Sequence, residues 1–388
     1  DNDVSTERFE IVRTYYDASP ASVNYLPNSL KQINLRNRVA VTAVFPEYSP
    51  TYTNYSQASY YSYDIHGNVN WLVQEIPELG SGDANFKYME YAYDLISGNV
   101  KQVSYQPYQI DQFYHKYEYD DDNRITQVYT SHDGLVWQND ARYLYYDHGP
   151  LARTELGENK VQGQDYFYTL QGWLKGVNTN NLTASISDFG NDNKPGTLNQ
   201  YASSDVYGFT LDYYSGDYNS ILTNPGFDYS SSAQSSDLFN GNIKGMNVAI
   251  TRPSDDYTNP ATSKFQGASG QVPIEHQSYY TYDQLNRITK MQETASAYKT
   301  EYSYDANGNL KTLKRVDGSN ATFDDLTYHY NTTKSPLNNK LNYVTDNNST
   351  GFPYGDITSQ NSDNYGYDKI GNLVRDNSEN ISKIEWLA

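Results

Sequence analysis

The sequence predicts an all-β chain, one long antiparallel repeat sheet, and three observations carry that expectation. A strand–turn–strand unit recurs along the chain, its copies stand 22 to 30 residues apart, and the apolar payload is dominated by 42 tyrosines against 12 Phe and 3 Met. The clearest unit is Tyr302-Ser-Tyr304-Asp305-Ala-Asn-Gly308-Asn309-Leu310. Tyr302 and Tyr304, two apart, share one face of an extended strand. Asp305 can accept backbone hydrogen bonds from the residues that follow, Gly308 and Asn309 tolerate the positive φ of a tight turn, and Leu310 opens the returning strand.

The same unit appears as Tyr61-Ser-Tyr63-Asp64 with Gly67-Asn68, Tyr91-Ala-Tyr93-Asp94 with Gly98-Asn99, and Tyr117-Glu-Tyr119-Asp120 with Asn123-Arg124. It returns as Tyr280-Thr-Tyr282-Asp283 with Asn286-Arg287, and as Tyr365-Gly-Tyr367-Asp368 with Gly371-Asn372. Degenerate copies are Tyr143-Leu-Tyr145-Tyr146-Asp147, Tyr166-Phe-Tyr168 before Gly172, and Tyr328-His-Tyr330 before Asn331. Successive Asp residues lie 30 (64 to 94), 26 (94 to 120) and 22 (283 to 305) apart. Periods of that size mark units that bury their apolar face only by stacking on neighbours.

Taken in order, residues 1–59 read as N-terminal strands leading into the repeats. Phe9–Tyr16 suits an edge strand, Asp17–Pro27 is a turn-rich connector, and Asn37–Phe45 is β-branched. Residues 60–177 form a first repeat block, where Lys101–Tyr105 and Arg124–Tyr129 alternate with period two and no helical stripe appears. Between 178 and 277 Asn, Ser, Gly and Asp become dense, which reads as a loop-rich insertion on the same sheet. Within it Tyr207–Tyr214 and Phe239–Met246 read as strands, and Ser187–Ser203 as a short helix. Residues 278–388 form a second repeat block that reads as truncated, since Lys383–Ala388 opens another strand. Both ends read as cut from a longer polypeptide, with helix scarce throughout.

The pattern Tyr-x-Tyr-Asp-x-x-Gly-Asn-Leu, with Asn-Arg-Ile as a variant, resembles the YD repeat of Rhs (rearrangement hotspot) proteins, and it covers about two thirds of the chain. The runs His148–Arg153 and Gln171–Gly176, with Asn34–Val39, resemble a bacterial branch secreted by type IX-like routes. The resemblance implies a sheet coiling into a spiral shell, a YD-repeat β-cocoon, that encloses a C-terminal cargo, often a toxin, until delivery. It implies a secreted or cell-surface bacterial protein. Its partners would be the rest of its own polypeptide, including that cargo, and outer-membrane secretion or cell-surface proteins. The family's Asp-Pro-x-Gly core, which carries self-cleavage where that occurs, is absent from these residues, so neither cleavage nor toxin activity carries over.

Composition narrows the chemistry. A formal net charge of −19, from 47 acidic and 28 basic residues, opposes phosphate contacts, so no nucleic-acid partner is expected. With no cysteine there is no disulfide framework and no thiolate site. No run is long and apolar enough for a membrane span. His66, His115, His132, His148, His276 and His329 stand singly without metal-ligand spacing. Asp120–Asp122 and Asp255-Asp256 lack the calcium-loop pattern. No metal, cofactor or catalytic group is therefore expected.

The repeated acids Asp64, Asp94, Asp120, Asp283, Asp305 and Asp368 could instead form carboxylate pairs for glycoside hydrolysis. Each, however, stands just before Gly or Asn, where it caps its own turn. The site residues expected are thus structural turn positions: Asp64, Gly67, Asn68, Asp94, Gly98, Asn99, Asp120, Asp283, Asp305, Gly308, Asn309, Asp368, Gly371 and Asn372. Three functions follow in order of preference: a non-catalytic shell segment enclosing or presenting cargo, a cell-surface adhesion or gliding-associated module binding glycan or protein through exposed aromatics, and a glycosidase. Packed tyrosines favour the first, exposed clusters of Tyr and Trp the second, and two carboxylates facing one cleft the third.

Overall fold

The computed structural model describes residues 9–23, 26–27, 30–47, 52, 54–80, 82–178, 182, 190–219, 235–250, 274–293, 298–331, 338–348 and 357–386. These residues are all-β. Short 3-10 turns at Ala21–Val23, Pro77–Leu79 and Gly82–Asn85 are the helical elements among them. No helix there is long and apolar enough to cross a membrane, which says nothing of a membrane β-barrel.

The strands are β1 (Phe9–Tyr16), β2 (Val39–Glu47), β3 (Gln57–Tyr63), β4 (Val69–Glu75), β5 (Phe86–Tyr93), β6 (Val100–Tyr105), β7 (Phe113–Tyr119), β8 (Ile125–Ser131), β9 (Gln138–Tyr145), β10 (Leu151–Leu156) and β11 (Gln162–Tyr168). They continue as β12 (Leu174–Val177), β13 (Tyr207–Asp212), β14 (Gly245–Ile250), β15 (Ile274–Tyr282), β16 (Ile288–Glu293), β17 (Thr300–Tyr304), β18 (Leu310–Val316), β19 (Thr322–Tyr330), β20 (Leu341–Asp346), β21 (Tyr365–Tyr367) and β22 (Leu373–Asp376). Twenty of them are sheet strands of an antiparallel meander, while β21 and β22 pair only with each other. The chain divides into two compact units, the first formed mainly by residues 1–144 and the second by 145–155 and 159–386.

In the first unit, β1 through β9 are each registered antiparallel on the next. The alternation that predicted strands also buries one face. Ala58, Tyr60 and Ser62 of β3 and Trp71, Val73 and Glu75 of β4 are buried while their neighbours are partly exposed. With Val23, Ala40, Val41, Ala43 and Phe45 the apolar members form the core. Buried Glu75 is held there because its carboxylate accepts the hydroxyls of Tyr55 and Tyr60, both at 2.7 Å.

In the second unit, β11 through β20 are likewise paired in chain order. Two expectations fail here. Residues 190–203 form successive turns rather than a helix, because Asn191, Asn193 and Gly196 adopt left-handed φ of 53°, 54° and 82°, and a right-handed helix needs φ near −60°. Positions 187–189 of that expected helix lie outside the described residues. The strand expected at Phe239–Met246 begins only at Gly245, since Gly241 turns the chain at φ 86° and leaves Phe239 exposed against Tyr214.

Candidate functional site: a turn-and-tyrosine edge and two buried ion clusters

Every predicted turn lies on a connection from an odd-numbered strand to the next even one, so in each unit the turns share one edge of the meander. Asp64 shows the local chemistry. One carboxylate oxygen accepts the backbone N–H groups of His66, Gly67 and Asn68 at 2.7–2.9 Å, and the other accepts the Asn68 side-chain amide at 3.0 Å. Asp305 and Asp368 repeat this with Asn309 at 2.8 Å and Asn372 at 3.0 Å. In the Asn-Arg variant the guanidinium replaces the amide. Arg124 Nε donates to Asp120 at 2.7 Å and Arg287 Nε to Asp283 at 2.6 Å. Gly67, Gly98, Gly308 and Gly371, or Asn123 and Asn286, supply the positive φ.

The Asp94 turn is one residue longer, and Lys101 takes the place of the amide at 2.7 Å. Its Asn99 is thereby released to donate to Asn123 of the next turn at 2.8 Å. Similar links join turns in the second unit: Arg287 donates to the Asp305 carbonyl at 2.9 Å, Asn309 to Asn339 at 3.0 Å, and Lys340 to the Asp368 carbonyl at 2.9 Å. Two further caps were not foreseen. Asp317, which follows no tyrosine pair, accepts Ser319 and Ala321 N–H groups, and Thr169 holds the Asp position before Gly172. In the copy at 143–147 the turn closes on Tyr146, not on Asp147.

The second tyrosine of each pair does more than pack. Its hydroxyl reaches back to a backbone carbonyl at the start of the preceding returning strand: Tyr63 to Val39 at 2.9 Å, Tyr93 to Val69 at 2.8 Å and Tyr119 to Val100 at 2.7 Å. Tyr213 reaches Leu174, Tyr304 reaches Ile288 and Tyr330 reaches Leu310, at 2.8–2.9 Å. Each of these pairs beside a turn also carries a register shift, as between Ser62 and Tyr63 or Ser303 and Tyr304. Ser62 opposes Trp71 and Tyr63 opposes Val69, so Asn70 is an extra residue that kinks the returning strand. Each hairpin is thus tied to its predecessor by a phenolic hydroxyl that phenylalanine could not supply.

The carboxyls of these turns titrate below their ordinary range. For Asp120 and Asp283 the main cause is the N–H of Arg124 or Arg287, for Asp305 the Asn309 amide and for Asp94 Lys101. At Asp64 and Asp368 partial burial pushes upward, but the bonds from Asn68 and Asn372 with their neighbours outweigh it. Lowered folded values stabilise the fold above the unfolded carboxylate range, and that stability is lost as pH falls through the folded values. The urea midpoint is therefore expected to hold from pH 7 to about 5 and to fall below about pH 4. Urea titrations across that range check this; a midpoint that rises in acid would contradict it.

Two buried ion clusters lie in the second unit, both built from the runs at 148–153 and 171–176. Arg153 donates to Glu155 at 3.3 Å, Asp165 at 2.5 Å and Asp192 at 2.6 Å, and all four are almost wholly buried. Burial alone would depress the Arg153 pKa, but its carboxylates hold it above the usual value. Gly163 and Gly190 leave room, since a Cβ on either would overlap the Arg153 guanidinium and an Asp carboxylate. The other cluster centres on fully buried Lys175, whose ammonium contacts Asp212 and Asp217, each at 2.7 Å. Burial pushes the Asp212 carboxyl up despite that ammonium. Asp192 comes from the turns after β12 and Asp217 from those after β13, so the two cations hold the loop-rich stretch to the sheet. No group of three or more metal-ligating side chains occurs among the described residues.

No family model matches the chain. No curated protein matches it either. Among solved structures it is similar to a TcdB2–TccC3–Cdc42 crystal structure at 13% identity and TM-score 0.40, covering 87% of this chain and 16% of that one. A Photorhabdus luminescens Tc holotoxin pore gives 12% identity and TM-score 0.26, covering 88% and 20%. A porin-like protein from Bacteroides uniformis gives 11% and 0.19, covering 76% and 86%. The chain thus spans about a sixth of the first of these.

Proposed function

We propose that this chain is a non-catalytic structural segment of a β-sheet shell, enclosing or presenting a cargo that belongs to the same polypeptide. One observation carries the reading: the residues that define the repeat are committed to joining each hairpin to the one before. The tyrosine hydroxyls bind backbone carbonyls, and the carboxylates that a glycosidase would need accept N–H groups of their own turns. None of the twelve tyrosines in the six full copies is in the exposed class, which supports a packing role over an adhesive one. A sheet built by repetition extends by adding hairpins, each protecting an edge of the last. Cryo-electron microscopy of the full-length protein tests this: walls formed by these hairpins around additional density would support a container, and an open sheet docked on another protein would replace it with the surface-module reading.

A further inference from the structure

The sixth full copy of the repeat departs from the others in a way that opens a cleft. The residue between the paired tyrosines faces a fixed position on the returning strand: Glu118 faces Gln127, Ser303 faces Thr312 and Gly366 faces Arg375. Where both side chains are polar they satisfy each other. Gln127 donates to Glu118 at 2.9 Å, and the Ser303 and Thr312 hydroxyls lie 2.5 Å apart. Gly366 has no side chain to offer. A Cβ there would meet the Arg375 Cβ at 3.0 Å, so the glycine lets the arginine lie close to the strand but gives it no acceptor.

Arg375 Nη2 is held by the Asp363 carbonyl at 2.9 Å and carboxylate at 3.1 Å, while its buried Nε has no hydrogen-bond partner. Across the same cleft the buried Asn331 Oδ1 also has none. The cleft has a volume of about 640 Å³, within the roughly 300–1,000 Å³ of small-molecule sites. Tyr365 and Tyr367 line it, with Lys340, Lys383 and Arg375 as cations against the single acid Asp363.

A buried donor and a buried acceptor, each without a partner, are costly unless something pairs them. The occupant must bring an acceptor, preferably anionic, to Arg375 Nε, a donor to Asn331 Oδ1, and an apolar face to the tyrosine rings. An Asp or Glu side chain supplies the carboxylate alone. A uronic-acid sugar carries the carboxylate, adjacent hydroxyl donors and a flat C–H face on one ring. We propose that this cleft is a binding site for a uronate-containing saccharide, a role beyond the structural one above.

Calorimetric titration of this chain with uronic-acid oligosaccharides, against the neutral analogues bearing hydroxymethyl in place of carboxylate, tests the assignment. Saturable binding is expected, at least about tenfold weaker for the neutral analogue. Arg375→Lys keeps the charge and loses Nε, and Asn331→Asp places a like charge against the carboxylate. Each is expected to weaken uronate binding by about tenfold or more with unchanged thermal melting. No saturation by about 10 mM, equal affinity for the neutral sugar, or equal affinity for an acidic peptide or for inorganic sulfate overturns the proposal.

Discussion

Replacing Arg153 by methionine is expected to lower the unfolding free energy of the second unit by about 3–5 kcal/mol, the cost of breaking a buried ion cluster from one side. The guanidinium serves Glu155, Asp165 and Asp192. Lys160, 3.2 Å from Glu155, is the further cation there. Removing Arg153 leaves three largely buried carboxylates with one half-buried ammonium at their margin. Arg153→Lys should fall between, because an ammonium keeps the charge but lacks the planar fork that reaches three partners. Methionine at Arg153 combined with leucine at Asp165 and Asp192 should recover much of the loss, since apolar substitution of a whole buried cluster is often neutral. Denaturant unfolding measures all three. Hydrogen exchange adds a local readout: amides of the turns at 190–203 should lose protection in Arg153→Met, because Asp192 is their anchor. A loss below about 1 kcal/mol with unchanged protection would show that the cluster anchors nothing.

These clusters also mark where the sequence stops being legible. The hairpins could be read because everything that makes them is local: two tyrosines at period two, an acid, and a residue that accepts positive φ lie within nine positions. Arg153 and Asp192 are 39 residues apart, and no periodicity links them. The signal available was indirect, two cations in runs otherwise rich in glycine and apolar residues. The extra residue in each returning strand was hidden for a different reason. Period two survives on both sides of Asn70 or Lys311, and the shift appears only once the partner strand fixes the register. The helix expected near Ser187–Ser203 failed because Asn and Gly were counted as neutral, whereas Asn191, Asn193 and Gly196 each take the left-handed conformation that ends a helix. The cleft at Arg375 depends on a single glycine, whose meaning emerges only when Gly366 is compared with its counterparts in register.

The abundance of tyrosine over phenylalanine yields the second large expected effect. Changing Tyr63, Tyr93 and Tyr119 together to phenylalanine should cost the first unit about 3 kcal/mol, roughly 1 for each hydroxyl bond lost. The three bonds end on different carbonyls, Val39, Val69 and Val100, in different hairpins, so near-additivity is expected. The control is internal to the repeat. Tyr61, Tyr91 and Tyr117, the first members of the same pairs, occupy the same strands but tie no hydroxyl to a neighbouring carbonyl among the described residues. Their triple change to phenylalanine should cost less than about 1 kcal/mol, because ring packing is retained and no bond is broken. Urea midpoints of the two triple variants decide the matter, provided the slope of the transition is unchanged. Equal losses would mean that the hydroxyls add nothing specific and that tyrosine serves only as a soluble ring. A loss confined to the second positions would make the phenol the fastener between hairpins, the property that lets a chain with 37% hydrophobic residues hold an extended sheet together.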